Sequence, residues 1–342
     1  MKYRSMGIRR ALGRIGVRSR ALAAFHGARR LAAHELPILA YHRVIEPADT
    51  FDPENVSADP DTFRRQMRYV RDNYDVLSFS ELNALSNELH AVPARPLIIT
   101  FDDGFADNYD NAFPILREFG LSALFSVVTT MVGSSEMYWF DRAACLLRKT
   151  PAGERVHIAG FELAIADGES RDIAVKRMLQ WLKDLPDDVR RARLNEIDAG
   201  LDALGVDAAD RRPHIPMNWD QLAEMRRAGM EIGSHTATHP ILAQLPNREC
   251  IAREMSQSRA SVESRLGGGC HTLAYPEGLA YAIDERVRDV AIESGYLFGL
   301  TSLRGMNRFP LCDVHRMRRI QIHHSNDDEL FRAVLQLPEL ID

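Results

Sequence analysis

Close cysteine pairs are missing from this chain. Its four cysteines, Cys145, Cys250, Cys270 and Cys312, are scattered, and none stands at a Cys–His zinc spacing. The spacing offers neither a disulfide framework nor a thiolate metal site, and the four read most simply as buried small apolar side chains. Also missing is any run approaching the roughly 18 apolar residues of a membrane-spanning helix. Gly267-Gly268-Gly269 opens no helix with a following Lys-Ser/Thr, so it is a turn and not a phosphate loop. There is no excess of positive charge overall: 43 basic against 48 acidic residues leave a net charge of -5, which gives no reason to expect nucleic acid as a partner.

What is present suits one sizeable α/β domain. The chain has 342 residues, 45% hydrophobic and 27% charged, a size that a single barrel-type domain reaches. Its charge is uneven, because Lys2, Arg4, Arg9, Arg10, Arg14, Arg18, Arg20, Arg29 and Arg30 all precede the first acidic residue, Glu35. These arginines interrupt any apolar core of a secretory signal, so a cytoplasmic location is expected. Ile8, Leu12, Ile15, Leu22 and Phe25 stand among them at near-helical spacing. Residues 1–34 therefore suit either a basic amphipathic helix on the anionic inner face of a membrane or a solvated terminal helix.

From residue 35 onward strands and helices alternate. Leu36 to Tyr41 reads as a first strand. Phe63, Met67, Val70 and Tyr74 repeat at helical spacing behind Asp61, a candidate N-cap, and Ser80 is placed to cap a helix running to about Leu89. Pro96 to Phe101 is the clearest strand, followed by a helix from about Asn111 to Phe119 and a strand over Ala123 to Val128. Further strands are expected at Met230 to Ile232, Thr272 to Tyr275 and Tyr296 to Leu300. The helices between and around them run over Trp219 to Ala228, Glu249 to Leu266 and Asp284 to Ser294. Such alternation implies parallel strands with helices outside, as an open sheet or a closed barrel. The stretch from about 135 to 216 breaks the rhythm with charge and helical patterning, and Val156 to Ile165 is its one convincing strand. It reads as a mainly helical insertion within a domain spanning 35–342. Its sequence does not choose among a cleft wall, a membrane contact and an oligomer interface.

Two segments carry chemistry. In Thr100-Phe101-Asp102-Asp103-Gly104 adjacent carboxylates stand at a strand's end. Neighbouring side chains on a strand point to opposite faces, so both reach one site only where Gly104 lets the chain turn. One carboxylate can then bind a cation while the other takes a proton. In Gly233-Ser234-His235-Thr236-Ala237-Thr238-His239-Pro240 two imidazoles at i, i+4 can share a metal from one side of a helical turn. An Asp and two His leave a coordination position for water, the layout of a catalytic zinc site.

With these motifs in view, the sequence resembles the polysaccharide deacetylases, the NodB-homology or carbohydrate esterase family four, and within it the exopolysaccharide-type members. Thr100 to Gly104 matches the family's first motif, His235 to His239 its second, and Leu273-Ala274-Tyr275-Pro276-Glu277-Gly278 resembles its third. The resemblance implies a distorted (β/α) barrel and an N-acetylated glycan as substrate, whether polymer, oligosaccharide or lipid-linked. It implies Asp103, His235 and His239 as ligands of a divalent metal, zinc first, with cobalt, nickel or iron as alternatives, and Asp102 as general base. The oxyanion would rest on the metal and a backbone N–H near Glu277, in the turn formed with Tyr275 and Pro276. Two departures stand out. Ala274 replaces the arginine that orients the base, and among Arg316, Arg318 and Arg319 the last is the favoured substitute. The usual late histidine acid is not clear in His323 and His324, and His42, in Tyr41-His42-Arg43-Val44, is the better candidate. Trp139 and Trp219 suit sugar stacking or, more simply, core packing. Rival readings are an O-acetyl esterase or cyclic-imide hydrolase on the same barrel, and a silent glycan-binding module, against which the retention of Asp102 speaks.

Overall fold

The computed structural model describes residues 35–85, 92–165 and 169–336. The basic segment 1–34 and the helix end expected near Leu89 lie outside the described residues. Seven strands of the central sheet form its barrel: β1 (Ile38–Tyr41), β2 (Pro96–Phe101), β3 (Leu124–Val127), β4 (Glu231–Ser234), β5 (Thr272–Ala274), β6 (Phe298–Arg304) and β7 (Met317–Gln321); a short eighth, Asp75–Val76, pairs with the start of β2. Each is parallel to its sequence neighbour, and β7 returns to β1 through Ile320–Leu39 and Gln321–Ala40. The sheet is therefore a closed barrel.

The strand period of two divides the side chains into layers. Ile38, Ile98, Leu124, Ala274, Leu300 and Met317 share one buried cluster inside the barrel. Leu39, Tyr41, Ile99, Phe101, Phe125, Ile232, Leu273 and Ile320 join the larger cluster beneath the surrounding helices. Capping fixes those helices. Asp59, not Asp61, caps Pro60–Asn73, since Pro60 suits the first helical position. Ser78, not Ser80, accepts the Glu81 N–H at the start of Phe79–Leu85. Asn218, Asn247 and Asp284 cap the helices that follow. Cys145 and Cys270 are buried as expected, but Cys250 is half-buried and Cys312 exposed.

Between β3 and β4 the insertion holds the helices Trp139–Lys149, Glu169–Asp184 and Asp187–Ala203. The strand expected over Val156 to Ile165 is an antiparallel hairpin, Arg155–Ile158 with Phe161–Ala164. The insertion has its own apolar core, and Phe105 and Val128 of the barrel rim belong to it. It is thereby seated on the mouth of the barrel.

Candidate active site

At the end of β2, Thr100 and Asp102 face inward, and the chain turns at Asp103 (φ 70°) and Gly104 (φ 79°). A Cβ on Gly104 would stand 2.8 Å from Val127 Cγ1, so this turn needs glycine on both counts. The turn brings both carboxylates to one side. Behind Asp102 lies the fully buried Arg319, whose Nη1 and Nη2 donate to Oδ1 and Oδ2 at 2.9 and 2.6 Å. Strand parity selects it: Ile320 faces the outer core, which turns Arg319 inward, while Arg318 is exposed.

The histidine pair follows β4, but not on a helical turn as expected. Thr236 and His239 have left-handed backbones (φ 68° and 61°), and the loop is pinned by Glu254, which accepts from the Thr238 N–H and Oγ1 at 2.8 and 2.7 Å. Asp103, Thr236, His239 and Glu277 are the non-glycine residues with positive φ among those described. All four belong to this site, where strained backbone characteristically collects.

The resulting geometry is compact. Asp103 Oδ1 lies 3.3 Å from His235 Nε2 and 3.4 Å from His239 Nε2, and the two Nε2 atoms are 3.2 Å apart. Ligands about 2.0–2.1 Å from a shared tetrahedral centre stand roughly 3.3 Å from one another, so the donor set fits a zinc-sized ion. His235 Nδ1 is 2.8 Å from the Ala274 carbonyl, the outer bond that turns Nε2 toward a metal. The Trp139 indole nitrogen is 3.3 Å from His239 Nδ1. Trp139 is buried in the insertion's core, where its indole braces His239, and Trp219 packs against the outer core.

Charge is tuned by burial and by partners. Burial raises the Asp102 pKa, but Arg319 and then His235 outweigh it and hold the carboxyl well below its usual range. Asp103 is likewise lowered, burial being overcome by the hydrogen bond to His235 and by the charge of His239. His235 is raised by Asp103 and Asp102 against the effect of burial. Burial and His235 push His239 down to about 3. Both carboxyls are thus held ionised, one by a guanidinium and the other by the two imidazoles.

One cavity of about 210 Å³ is lined by Asp102, Asp103, His235 and His239, and by His42, Tyr275 and Glu277. The His42 backbone is fixed on both sides: its N–H donates to Ser57 Oγ (2.9 Å), and its carbonyl accepts from Asn108 Nδ2 (2.8 Å). Arg43, unread in the sequence, is fully buried, bonds Asp107 at 2.9 Å and reaches the Pro213 carbonyl, tying the His42 segment to the turn after Asp103 and to the insertion's end. The Tyr275 hydroxyl donates away from the site to the His315 carbonyl, and its N–H to the Leu300 carbonyl. Pro276 has no N–H and does not line the cavity. The Gly278 N–H turns back to the Pro276 carbonyl, so the donor left in this turn is Glu277's. His323 and His324 stand apart, beside Glu54. Asp52, Asn55, Phe140, Leu179, Lys183 and Gln321 also line the cavity; for Lys183, deep in the insertion, no sequence signal existed.

The structure thus gathers a carboxylate, two imidazoles and a second carboxylate held by a guanidinium at the C-terminal mouth of a closed parallel barrel. Residues 204–299 match the family model of the polysaccharide deacetylases, a span that includes the second and third motifs. This match bears out the resemblance read from the motifs. A Bacillus subtilis protein bearing the name polysaccharide deacetylase, YxkH, is 29% identical over 29% of this chain and 34% of its own. The poly-beta-1,6-N-acetyl-D-glucosamine N-deacetylase of Escherichia coli is 27% identical over 59% of this chain and 30% of its own. This chain thus spans about a third of the length of the curated relatives it matches. Among solved structures, the Streptococcus pyogenes deacetylase PplD superposes with a TM-score of 0.58 at 20% identity, over 89% of this chain and 99% of that one. IcaB from Ammonifex degensii gives 0.54 at 17% identity, over 89% and 97%. These likenesses bear on the fold, which is that of the NodB barrels.

Proposed function

We propose that this protein is a metal-dependent deacetylase that hydrolyses the amide of an N-acetylated carbohydrate. The observation that carries the reading is the triangle of Asp103 and two histidine nitrogens, 3.2–3.4 Å on each edge, beside a carboxylate held ionised by Arg319. Asp103, His235 and His239 would hold a divalent ion, with zinc favoured by the donor set. Such an ion supplies electrophilic pull on the acetyl carbonyl and acidifies the attacking water.

The chain's own groups do the rest. Asp102, fixed by two bonds from Arg319, removes a proton as water adds to the acetyl carbon. The Glu277 N–H is the turn's donor for the negative oxygen that develops there. His42, on the same cavity, gives a proton to the sugar nitrogen as the C–N bond breaks, releasing acetate and an amine. Support for an amide over an ester comes from the name of the Escherichia coli relative, an N-deacetylase.

The test is metal analysis of purified protein together with acetate release from N- and O-acetylated sugars. Chelation is expected to abolish release from N-acetylglucosamine oligomers, and zinc to restore it. Asp102→Asn should keep its metal and lose roughly 10²–10⁴-fold in kcat. Full activity after chelation, or in Asp102→Asn, would overturn the reading.

A further inference from the structure

The insertion lays one helix, Glu169–Asp184, across the barrel mouth. Lys176, Leu179 and Lys183 recur at i, i+3 and i+7 and so share a face. Lys176 Nζ is 3.3 Å from Glu54 Oε2 in the loop after β1. Lys183 Nζ is 3.0 Å from Glu277 Oε1 in the turn after β5. Between these anchors Leu179 lines the catalytic cavity. Gln244, in the segment after His239, donates to the Lys183 carbonyl at 2.7 Å and fixes the helix end.

The Lys176–Glu54 pair is exposed, and such a pair contributes little to stability, so the ion pairs do not hold the helix alone. Ala174, Val175, Met178 and Leu182 are buried in the insertion's core, which makes the helix a standing wall. The barrel strands are consecutive around the ring, and the insertion's core takes in Phe105 after β2 and Val128 after β3, so with its anchors after β1 and β5 this wall stands over β2, β3 and β4. That arc carries Asp102, Asp103, His235 and His239. Over β6 and β7 the cavity is bounded by Ser302 and Gln321 of the strands themselves. Gln321 Nε2 is buried there without a hydrogen-bond partner, a donor that costs free energy until a ligand meets it.

We propose that this helix makes the site select the terminal N-acetylated sugar of a glycan or glycan precursor. The reacting ring sits beneath Leu179 and Lys183, and its one glycosidic linkage leaves past Ser302 and Gln321. The claim rests on the deacetylase reading and narrows its substrate class. An internal sugar carries linkages at both ends of the ring, and the helix stands where the second would run. The cavity of about 210 Å³ lies below the roughly 300–1,000 Å³ of sites for drug-sized ligands and suits one ring with its acetamido arm.

The experiment follows acetate release from N-acetylglucosamine oligomers of one to six units and from long polymer, with the deacetylated position mapped by mass spectrometry. Wild type should release about one acetate per chain whatever its length, from a terminal unit, with kcat/KM flat beyond two units. Leu179→Ala/Lys183→Ala, checked for folding by thermal melting, should raise the internal-to-terminal product ratio at least about tenfold. Internal deacetylation by wild type, with kcat/KM climbing with length, overturns the selection of termini and leaves the deacetylase reading intact. An unchanged product pattern in the folded double variant overturns the part given to the helix. No acetate from any length would overturn the deacetylase reading, and this proposal with it.

Discussion

Among the described residues, two places gather one carboxylate and two imidazoles, Asp103 with His235 and His239, and Glu54 with His323 and His324. In each the candidate ligand atoms lie within 4.8 Å of one another. Their surroundings differ. The first set is buried and arrives from two separate strand ends, with the outer nitrogen of His235 held by the Ala274 carbonyl. In the second, Glu54 is half-exposed and shared with Lys176, the imidazoles are chain neighbours with ring centroids 4.3 Å apart, and His323 Nδ1 is taken up by Ser325 Oγ at 2.9 Å. Composition and proximity alone do not separate the two clusters. What distinguishes the first is that its three donor atoms are buried and already aimed at one common point.

The largest expected effect tests that contrast directly. His235→Ala should lower bound zinc from about one ion per chain to less than about a tenth, and acetate release by roughly a thousandfold or more. His324→Ala should change neither. Elemental analysis and an acetate assay on the two variants decide it, and metal lost from the His324 variant would break the comparison.

Next in size is the contact between Arg319 and Asp102, the proposed base. Arg319→Lys replaces a planar two-pronged donor with a single point charge. The expected outcome is a fall of roughly 10–100-fold in kcat, the usual scale for loss of an outer partner, with metal content unchanged. The pH profile carries the sign. Asp102 is held below its usual range chiefly by Arg319 working against burial, so weakening the partner raises its pKa. The acid limb of kcat should then move to higher pH, whereas a limb that stays put would show that Arg319 is not what keeps Asp102 ionised.

Both contrasts were partly legible in the sequence. Gly104 announced that Asp102 and Asp103 could share a site, since only a turn lets adjacent strand residues do so. Arg319 was readable in principle from parity, because apolar Ile320 and Ile322 claim the outer face and leave Arg319 and Gln321 to the inner one. The caps moved by two residues at Asp59 and Ser78 because Pro60 and the local chain path, not helical periodicity, set the first turn. The left-handed backbone at Thr236 and His239 was illegible: neither is glycine, and tertiary bonds from Glu254 impose the loop. Lys183 and Leu179 were equally hidden. Their place over the cavity depends on how the insertion seats on Phe105 and Val128, and this is settled by packing between segments far apart in the chain.

The smallest change at the site itself concerns Asp52, which lies between the two clusters. It lines the catalytic cavity, is 8% exposed, and accepts the Glu54 N–H at 3.2 Å. Burial, and after it the charge of Asp141, raises its pKa from 3.8 to about 6. A carboxyl raised on folding holds its proton longer in the native state than in the unfolded one. Stability is therefore undiminished below about pH 4, falls as pH rises toward 6, and stays reduced above that. Asp52→Asn keeps an acceptor for Glu54 and removes the titration. It should match wild type at pH 4 and exceed it at pH 8, by as much as about 3 kcal/mol for a two-unit shift. Glu54→Gln, only two residues away but on the solvent side, should change stability by no more than about 0.5 kcal/mol. Urea unfolding of both variants at the two pH values measures the difference. Equal curves for wild type and Asp52→Asn at pH 8 would mean that water reaches Asp52 as freely as it reaches Glu54, and that the burial separating the two clusters does not extend to this wall of the cavity.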